Sequence, residues 1–354
     1  MKLITAGESH GKTLIGVIEG LPSGVTLDEA RINARLASRQ QGYGRGGRMK
    51  IETDRIEVLS GAIGGKTIAS PLAFAIKNKD YENWTQYMDA FCGEVDKKAL
   101  TAVRPGHADL SGVIKYGFGN NARPVLERAS ARETATRVGA GAICEQALND
   151  LGVTIKGEVL CVGGKTDEES IKTAIDEARK QGDTLGGKCR ITVSGMPIGV
   201  GSYVQYDRKL DAILAMHLMS VQSVKAVEVG LGTEFASLKG SQSHDEILPG
   251  GRQTNRAGGI EGGMSNGEDI VLTVTFKPIP TLMKGLRTVD LKTGEPTTAA
   301  SERSDCCAVE AATVVAECAV AYALLDEILK TFGGDTMSEL QTRVNARRSS
   351  YEQG

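Results

Sequence analysis

A chain of 354 residues, 40% hydrophobic and 24% charged with a net charge of −2, has enough apolar material for a sizeable core and reads as globular and soluble. So balanced a charge excludes polycationic binding to nucleic acid, and an aromatic content of 4% leaves little for base stacking. Seven cysteines without a CxxC pair read as reduced thiols, Cys306-Cys307 as buried ones rather than a redox pair; no stretch suits a signal peptide or a membrane span, so the expectation is a cytoplasmic protein with no metal and no membrane partner.

In chain order, only the short run 2–5 directly precedes Ala6-Gly7-Glu8-Ser9-His10-Gly11-Lys12-Thr13, and residues 14–18 after it read as a strand. That loop fits a loose phosphate-loop pattern, but a true one opens a helix, and here a strand follows. Residues 27–40 follow a Thr26/Asp28 capping region and have helical apolar spacing. The segment 41–48 breaks this helix with four glycines. Gly42-Tyr43-Gly44-Arg45-Gly46-Gly47 matches a dinucleotide fingerprint by letter but follows a helix, not a strand. With Arg39, Arg45 and Arg48 around them, these glycines suit a loop that orders over phosphate or carboxylate. Residues 50–59 and 67–76 read as strands, the second irregular at Pro71, and 78–102 as a surface loop with a short helix. Residues 124–151 read as one long helix closed by Gly152. Next come a strand at 153–162, a helix at 168–181, a strand at 190–194, a helix at 209–221, a strand at 226–231, a glycine-rich loop at 250–267 and a strand at 270–276. Residues 305–331 read as a long alanine-rich helix, with Asp305 suited to either an N-cap or a catalytic carboxylate. Strands and helices mix without strict alternation, linker or repeat, which predicts an α+β fold in a single integrated domain over 1–354.

Two of the four histidines sit in glycine-containing polar loops, His10 in Gly7-Glu8-Ser9-His10-Gly11-Lys12 and His107 in Arg104-Pro105-Gly106-His107-Ala108-Asp109. Glycine lets a backbone approach a ligand closely, and imidazole exchanges a proton near neutral pH. His217, in an apolar helix, reads as core or interface, and His244 as solvated. In Glu127-Arg128-Ala129-Ser130-Ala131-Arg132-Glu133, small residues between arginines near a helix start suit an anion; the alternative is a salt-bridged helix in which Glu127 and Glu133 neutralise the arginines. The residues alone therefore give an enzyme acting on a small polyanion with histidine acid–base groups. The rivals are a phosphate-loop nucleotide hydrolase and a non-enzymatic anion-binding protein, which would have no need of titrating histidines.

Together the motifs resemble the chorismate synthase family. The resemblance rests on Gly7-Glu8-Ser9-His10-Gly11 with Glu19-Gly20-Leu21-Pro22, on Glu127 to Thr134 with Arg137-Val138, and on Arg303-Ser304-Asp305 with Val314-Val315-Ala316-Glu317. Arg104 to Asp109 and Asn255-Arg256-Ala257-Gly258-Gly259-Ile260 extend it, so it covers about 3–332 in the family's order. Cys306 and Glu310 depart from the family, which has proline there.

The resemblance implies a lyase that converts 5-enolpyruvylshikimate 3-phosphate to chorismate and phosphate by anti 1,4-elimination, the last step of the shikimate pathway. It implies a requirement for reduced FMN, with NADPH as the ultimate reductant. It implies a sandwich of helices around antiparallel sheets, assembled as a homotetramer, and leaves open whether a separate flavin reductase is the partner. His10 would protonate the leaving phosphate, His107 would lie at the flavin's pyrimidine end, and Asp305 would assist proton loss. Substrate contacts carry over to Ser9, Arg39, Arg45, Arg104, Arg132 and Arg303. Flavin contacts carry over to Arg39, Arg45, Arg48, Arg128, Ala129, Ser130, Gln222, Ser223, Gly262, Lys277, Pro278, Ile279, Pro280, Thr281 and Arg303.

Overall fold

Alternating burial along the strands builds two four-stranded antiparallel sheets with a layer of helices between them. The computed structural model describes residues 1–46, 53–249, 251–299 and 305–352. The first sheet holds β1 (Lys2–Ala6), β2 (Thr13–Glu19), β3 (Ile56–Ser60) and β4 (Leu72–Lys77), in spatial order β1-β2-β4-β3. The second holds β5 (Thr154–Val162), β6 (Gly187–Ser194), β7 (Val224–Val229) and β8 (Ile270–Phe276), in spatial order β5-β6-β8-β7.

The helices are α1 (Glu29–Gln40), α2 (Asp109–Tyr116), α3 (Arg123–Ala129), α4 (Thr134–Asp150), α5 (Glu168–Lys180), α6 (Leu210–Met219), α7 (Val309–Phe332) and α8 (Met337–Glu352). Helices α4 and α7 cross between the sheets, α4 against β2 and α7 against β5, β6 and β8. Small residues permit the close crossing: a Cβ on Gly141 would lie 2.4 Å from the Cβ of Cys318. The buried cluster that results runs from Leu14 and Phe74 through Ile143 and Leu324 to Ile191 and Leu272. Among the described residues no helix is long and apolar enough to cross a membrane.

The loop carrying His10 joins β1 to β2 as an antiparallel hairpin, with Ala6 opposite Ile15. No helix follows the loop, which removes the phosphate-loop reading. The predicted helix over 124–151 is two helices. Ser130 breaks it with ψ 141°, its Oγ accepting the Arg132 N–H, and a 3₁₀ turn, Ala131–Glu133, precedes α4. Helix α7 begins at Val309, so Asp305 is not its N-cap; that position is Ala308. The strand expected over 67–76 is interrupted: Thr67 ends a two-residue pairing of Lys66–Thr67 with Ala62–Ile63, and β4 begins only after Pro71. The loop at 250–267 contains a small pairing of Ile260–Glu261 with Met264–Ser265. Helix α8 was not expected: its buried stripe is only Met337, Leu340 and Val344. Arg48, Arg303, Ser304 and the start of the expected strand at 50–59 lie outside the described residues.

Candidate active site

A cavity of about 520 Å³ opens where the β1–β2 loop, the N-terminal ends of α4 and α7, residues 219–225 and the segment after β8 converge. It gathers most residues singled out from the sequence: Ser9, His10, Arg39, Arg45, Arg104, His107, Ala129, Ser130, Arg132, Gln222, Ser223, Lys277, Ile279, Pro280, Thr281 and Asp305. Among the described residues, three expected flavin contacts are not part of its lining. Arg128 donates instead to the carbonyls of Thr5, at 2.8 Å, and Gly7, at 3.0 Å. Gly262 sits in the turn between Ile260–Glu261 and Met264–Ser265, and Pro278 is absent from the wall that its neighbours Lys277 and Ile279 form.

His10 is nearly buried at 8% exposure. Its Nδ1 lies 2.9 and 3.0 Å from the two carboxylate oxygens of Glu127, one of which, Oε2, also accepts its backbone N–H at 2.8 Å. Glu127 thus faces the imidazole rather than neutralising Arg128 or Arg132, with the Arg123 guanidinium 3.7 Å away. Glu133 does hold an arginine, Arg137, and also accepts from Gln222.

His107 Nδ1 lies 2.5 Å from Asp109, whose carboxylate also receives Nε and Nη2 of Arg104 at 2.8 and 3.0 Å. The third guanidinium nitrogen of Arg104 donates to Thr281 at 3.1 Å. Arg104 therefore braces the His107–Asp109 pair as well as lining the cavity. Burial alone would raise the Asp109 pKa, but hydrogen bonds from His107 and Arg104 hold it well below the ordinary carboxylate value. A depressed folded-state pKa gives stability that is present above the unfolded value near 4 and is lost as the pH falls through the folded one. Asp109→Asn is therefore expected to cost about 1.5–3 kcal/mol at neutral pH. The gap to the parent should close in acid; urea unfolding at neutral pH and below pH 3 checks both limits.

Arg39 and Arg132 share one buried carboxylate, Asp54, at 2.8 and 2.6 Å. Burial raises the Asp54 pKa, and the two guanidiniums more than offset this and bring it below normal. Burial and then the like charges of Arg132 and Arg45 lower that of Arg39, opposed by Asp54. Arg132 Nε also donates to Asn78, which donates in turn to the carbonyls of Glu8 and Gly11 in the His10 loop. Asp54 and Asn78 carried no local sequence signal, since each is defined by partners distant in the chain and by burial.

Arg45 reaches Asp305 at 3.0 Å, and the other oxygen of that carboxylate accepts Gly46 N–H at 2.6 Å. The loop lies against the segment before α7 because Gly44 takes φ +96°, its carbonyl accepting Cys306 N–H at 2.8 Å. Burial raises both adjacent thiols, Cys307 to about 11, so neither is a thiolate at neutral pH. His217 lies half-buried beside Tyr322 rather than in the core, and His244 is exposed, as the sequence suggested for it.

At the other wall, Lys277 donates to the Gly106 carbonyl, and burial, then Lys225, lowers its pKa. Ser223 holds φ +73°, a costly conformation for a non-glycine residue and one that tends to mark ligand sites. The buried Oε1 of Gln222 has no hydrogen-bond partner among the described residues. Such a site can bind a polyanion, supply two oriented imidazoles and accept a flat ring system between small side chains.

The family described as chorismate synthase matches residues 1–329. A chorismate synthase of Thermoanaerobacter pseudethanolicus is 53% identical over 353 residues, covering 98% of each chain. One of Caldanaerobacter subterraneus is 52% identical over 348 residues, covering 96% of each. A crystal structure of a chorismate synthase is similar with a TM-score of 0.78 at 36% identity, covering 98% of both chains.

Proposed function

Because the chain belongs to the chorismate synthase family, and so is a lyase that makes chorismate from 5-enolpyruvylshikimate 3-phosphate, we propose that this cavity is where the phosphate leaves. The observation that carries the reading is the meeting of Arg39, Arg45, Arg104, Arg132 and Lys277 with two carboxylate-held imidazoles in one cavity. A substrate with one phosphate and two carboxylates needs such a surplus of cations, and hydrogen bonds to charged groups contribute about 1.5–3 kcal/mol each. The whole chain acts as one catalytic unit.

Reduced FMN suits the same cavity. Ala129, Ala131, Ala308, Ala311 and Ala312 leave room for a flat ring, Val221, Ile279 and Pro280 supply apolar walls, and Gln222 Oε1 is a buried acceptor that a ring N–H would satisfy. When bound there, reduced flavin would supply transient electron density for the departure of phosphate, with no net oxidation. Arg39, Arg45 and Arg132 bind and orient the anionic groups. His10 donates a proton to the leaving phosphate. Asp305, held by Arg45 and Gly46 N–H, assists removal of the proton lost from carbon. His107, held by Asp109, would serve the flavin rather than the substrate. NADPH is the ultimate reductant, acting directly or through a separate flavin reductase. The enzyme works in the cytoplasm as a homotetramer, a reading supported by exposed apolar side chains such as Tyr203, Tyr206 and Met216.

Incubation with substrate and dithionite-reduced FMN is expected to produce chorismate absorbance, and oxidised FMN to bind with substrate but give no product. Chorismate formed before reduction would sink this reading. His107→Ala is expected to shift the spectrum of bound reduced FMN and slow turnover with little change in substrate affinity. Lost substrate affinity with an unchanged flavin spectrum would reassign His107 to the substrate.

A further inference from the structure

The segment 78–102, read from the sequence as a surface loop, brings the chain's single tryptophan against His10. Trp84 lies between a 3₁₀ turn, Lys79–Asn83, and a short helical turn, Thr85–Met88, and its ring stacks on the imidazole with centroids 4.1 Å apart at 25°. The guanidinium of Arg123 lies 5.4 Å from the centre of the indole, and the Lys98 ammonium 5.7 Å, both in cation–π range. Arg123 is also 3.7 Å from Glu127, so one cation touches both groups that hold His10.

A carboxylate only accepts hydrogen bonds, and both oxygens of Glu127 face Nδ1. The hydrogen in that contact therefore sits on Nδ1. Proton exchange with a ligand is left to Nε2, which has Asp80 at 3.9 Å. We infer that Glu127 and Trp84 are positioning residues for His10: Glu127 selects Nε2 as the nitrogen that exchanges the proton, and Trp84 fixes the plane of the ring. The inference rests on the reading of His10 as the proton donor. The logic is that of any buried carboxylate that sets a catalytic imidazole's tautomer.

The test combines ¹⁵N-histidine NMR of the protein with turnover of the reduced-flavin enzyme. In the parent, neutral His10 is expected to carry its proton on Nδ1. In Glu127→Gln the amide can offer an N–H to Nδ1, so the population moves to the Nε2–H form. Turnover should fall about 10²-fold or more, while KM changes less than about threefold. Trp84 is only partly buried, so its replacement spares the core. Trp84→Ala should lower turnover about 10–100-fold through a looser ring, and Trp84→Phe should restore most of it. Emission of the single tryptophan should also differ between the parent and His10→Ala. An unmoved tautomer in Glu127→Gln, or parental turnover in Trp84→Ala, overturns the proposal. A moved tautomer with unchanged turnover upholds the positioning by Glu127 and instead removes His10 from the chemistry.

Discussion

Asp54→Asn is expected to lower the unfolding free energy at neutral pH by about 3–5 kcal/mol, the cost of leaving a buried charge without its partner. Both arginines that face this carboxylate, Arg39 and Arg132, are themselves about 5% exposed. Water cannot replace the lost charge, and the guanidiniums then repel each other across the gap. Because the folded pKa of Asp54 is depressed, its contribution is present above about pH 4 and is lost as the pH falls through the folded value. The penalty of the variant should therefore shrink in acid. Urea unfolding of parent and variant measures it, and a loss under about 1 kcal/mol at pH 7 would show that the arginines do not depend on this carboxylate. The Asp54 carboxylate also has a functional consequence: it lets two like charges sit side by side at the cavity wall, where a polyanion can meet them.

His10→Ala is expected to lower kcat by about 10²–10⁴-fold, the usual loss when a general acid is removed, with a smaller change in substrate KM. The ring has an edge contact to Glu127 and a face contact to Trp84, and it lines the cavity with Arg39, Arg45 and Arg132. Phosphate is a poor leaving group unless its developing charge is neutralised. On the proposed reading the arginines would supply charge, and the imidazole would supply the proton. Rapid-mix assays with reduced FMN and saturating substrate separate chemistry from binding. Turnover within about threefold of the parent would take His10 out of the mechanism.

Elements with a strong local period were legible in the sequence. The alternation Ile270-Val-Leu-Thr-Val-Thr-Phe276 is a strand with the expected bounds, and helix α5 ends one residue short of its expected limit. The histidine loops were legible for a similar reason: glycines beside a titratable ring are a local signal. The α+β class followed from element order. What failed locally was also local in cause. Ser130 caps the turn after it and breaks a pattern that otherwise reads as continuous helix, and α8 hides because its apolar stripe is narrow and the rest of it is mostly polar and charged.

By itself, then, the sequence determined the element types, the candidate acid–base residues and the need for an anionic ligand, because period, glycine placement and residue chemistry act over a few neighbouring positions. Only the tertiary structure decided which carboxylate serves which cation or imidazole. Glu127 meets His10 across 117 positions, Asp54 meets Arg132 across 78, and Arg104 meets Thr281 across 177. It decided too that Asp305 receives Arg45 instead of capping α7, that Arg128 turns to the β1–β2 loop, and that Trp84 covers His10. The physical reason is that charge pairing and ring stacking depend on distances of 3–4 Å and on burial, and both are set by how α4 and α7 pack between the two sheets.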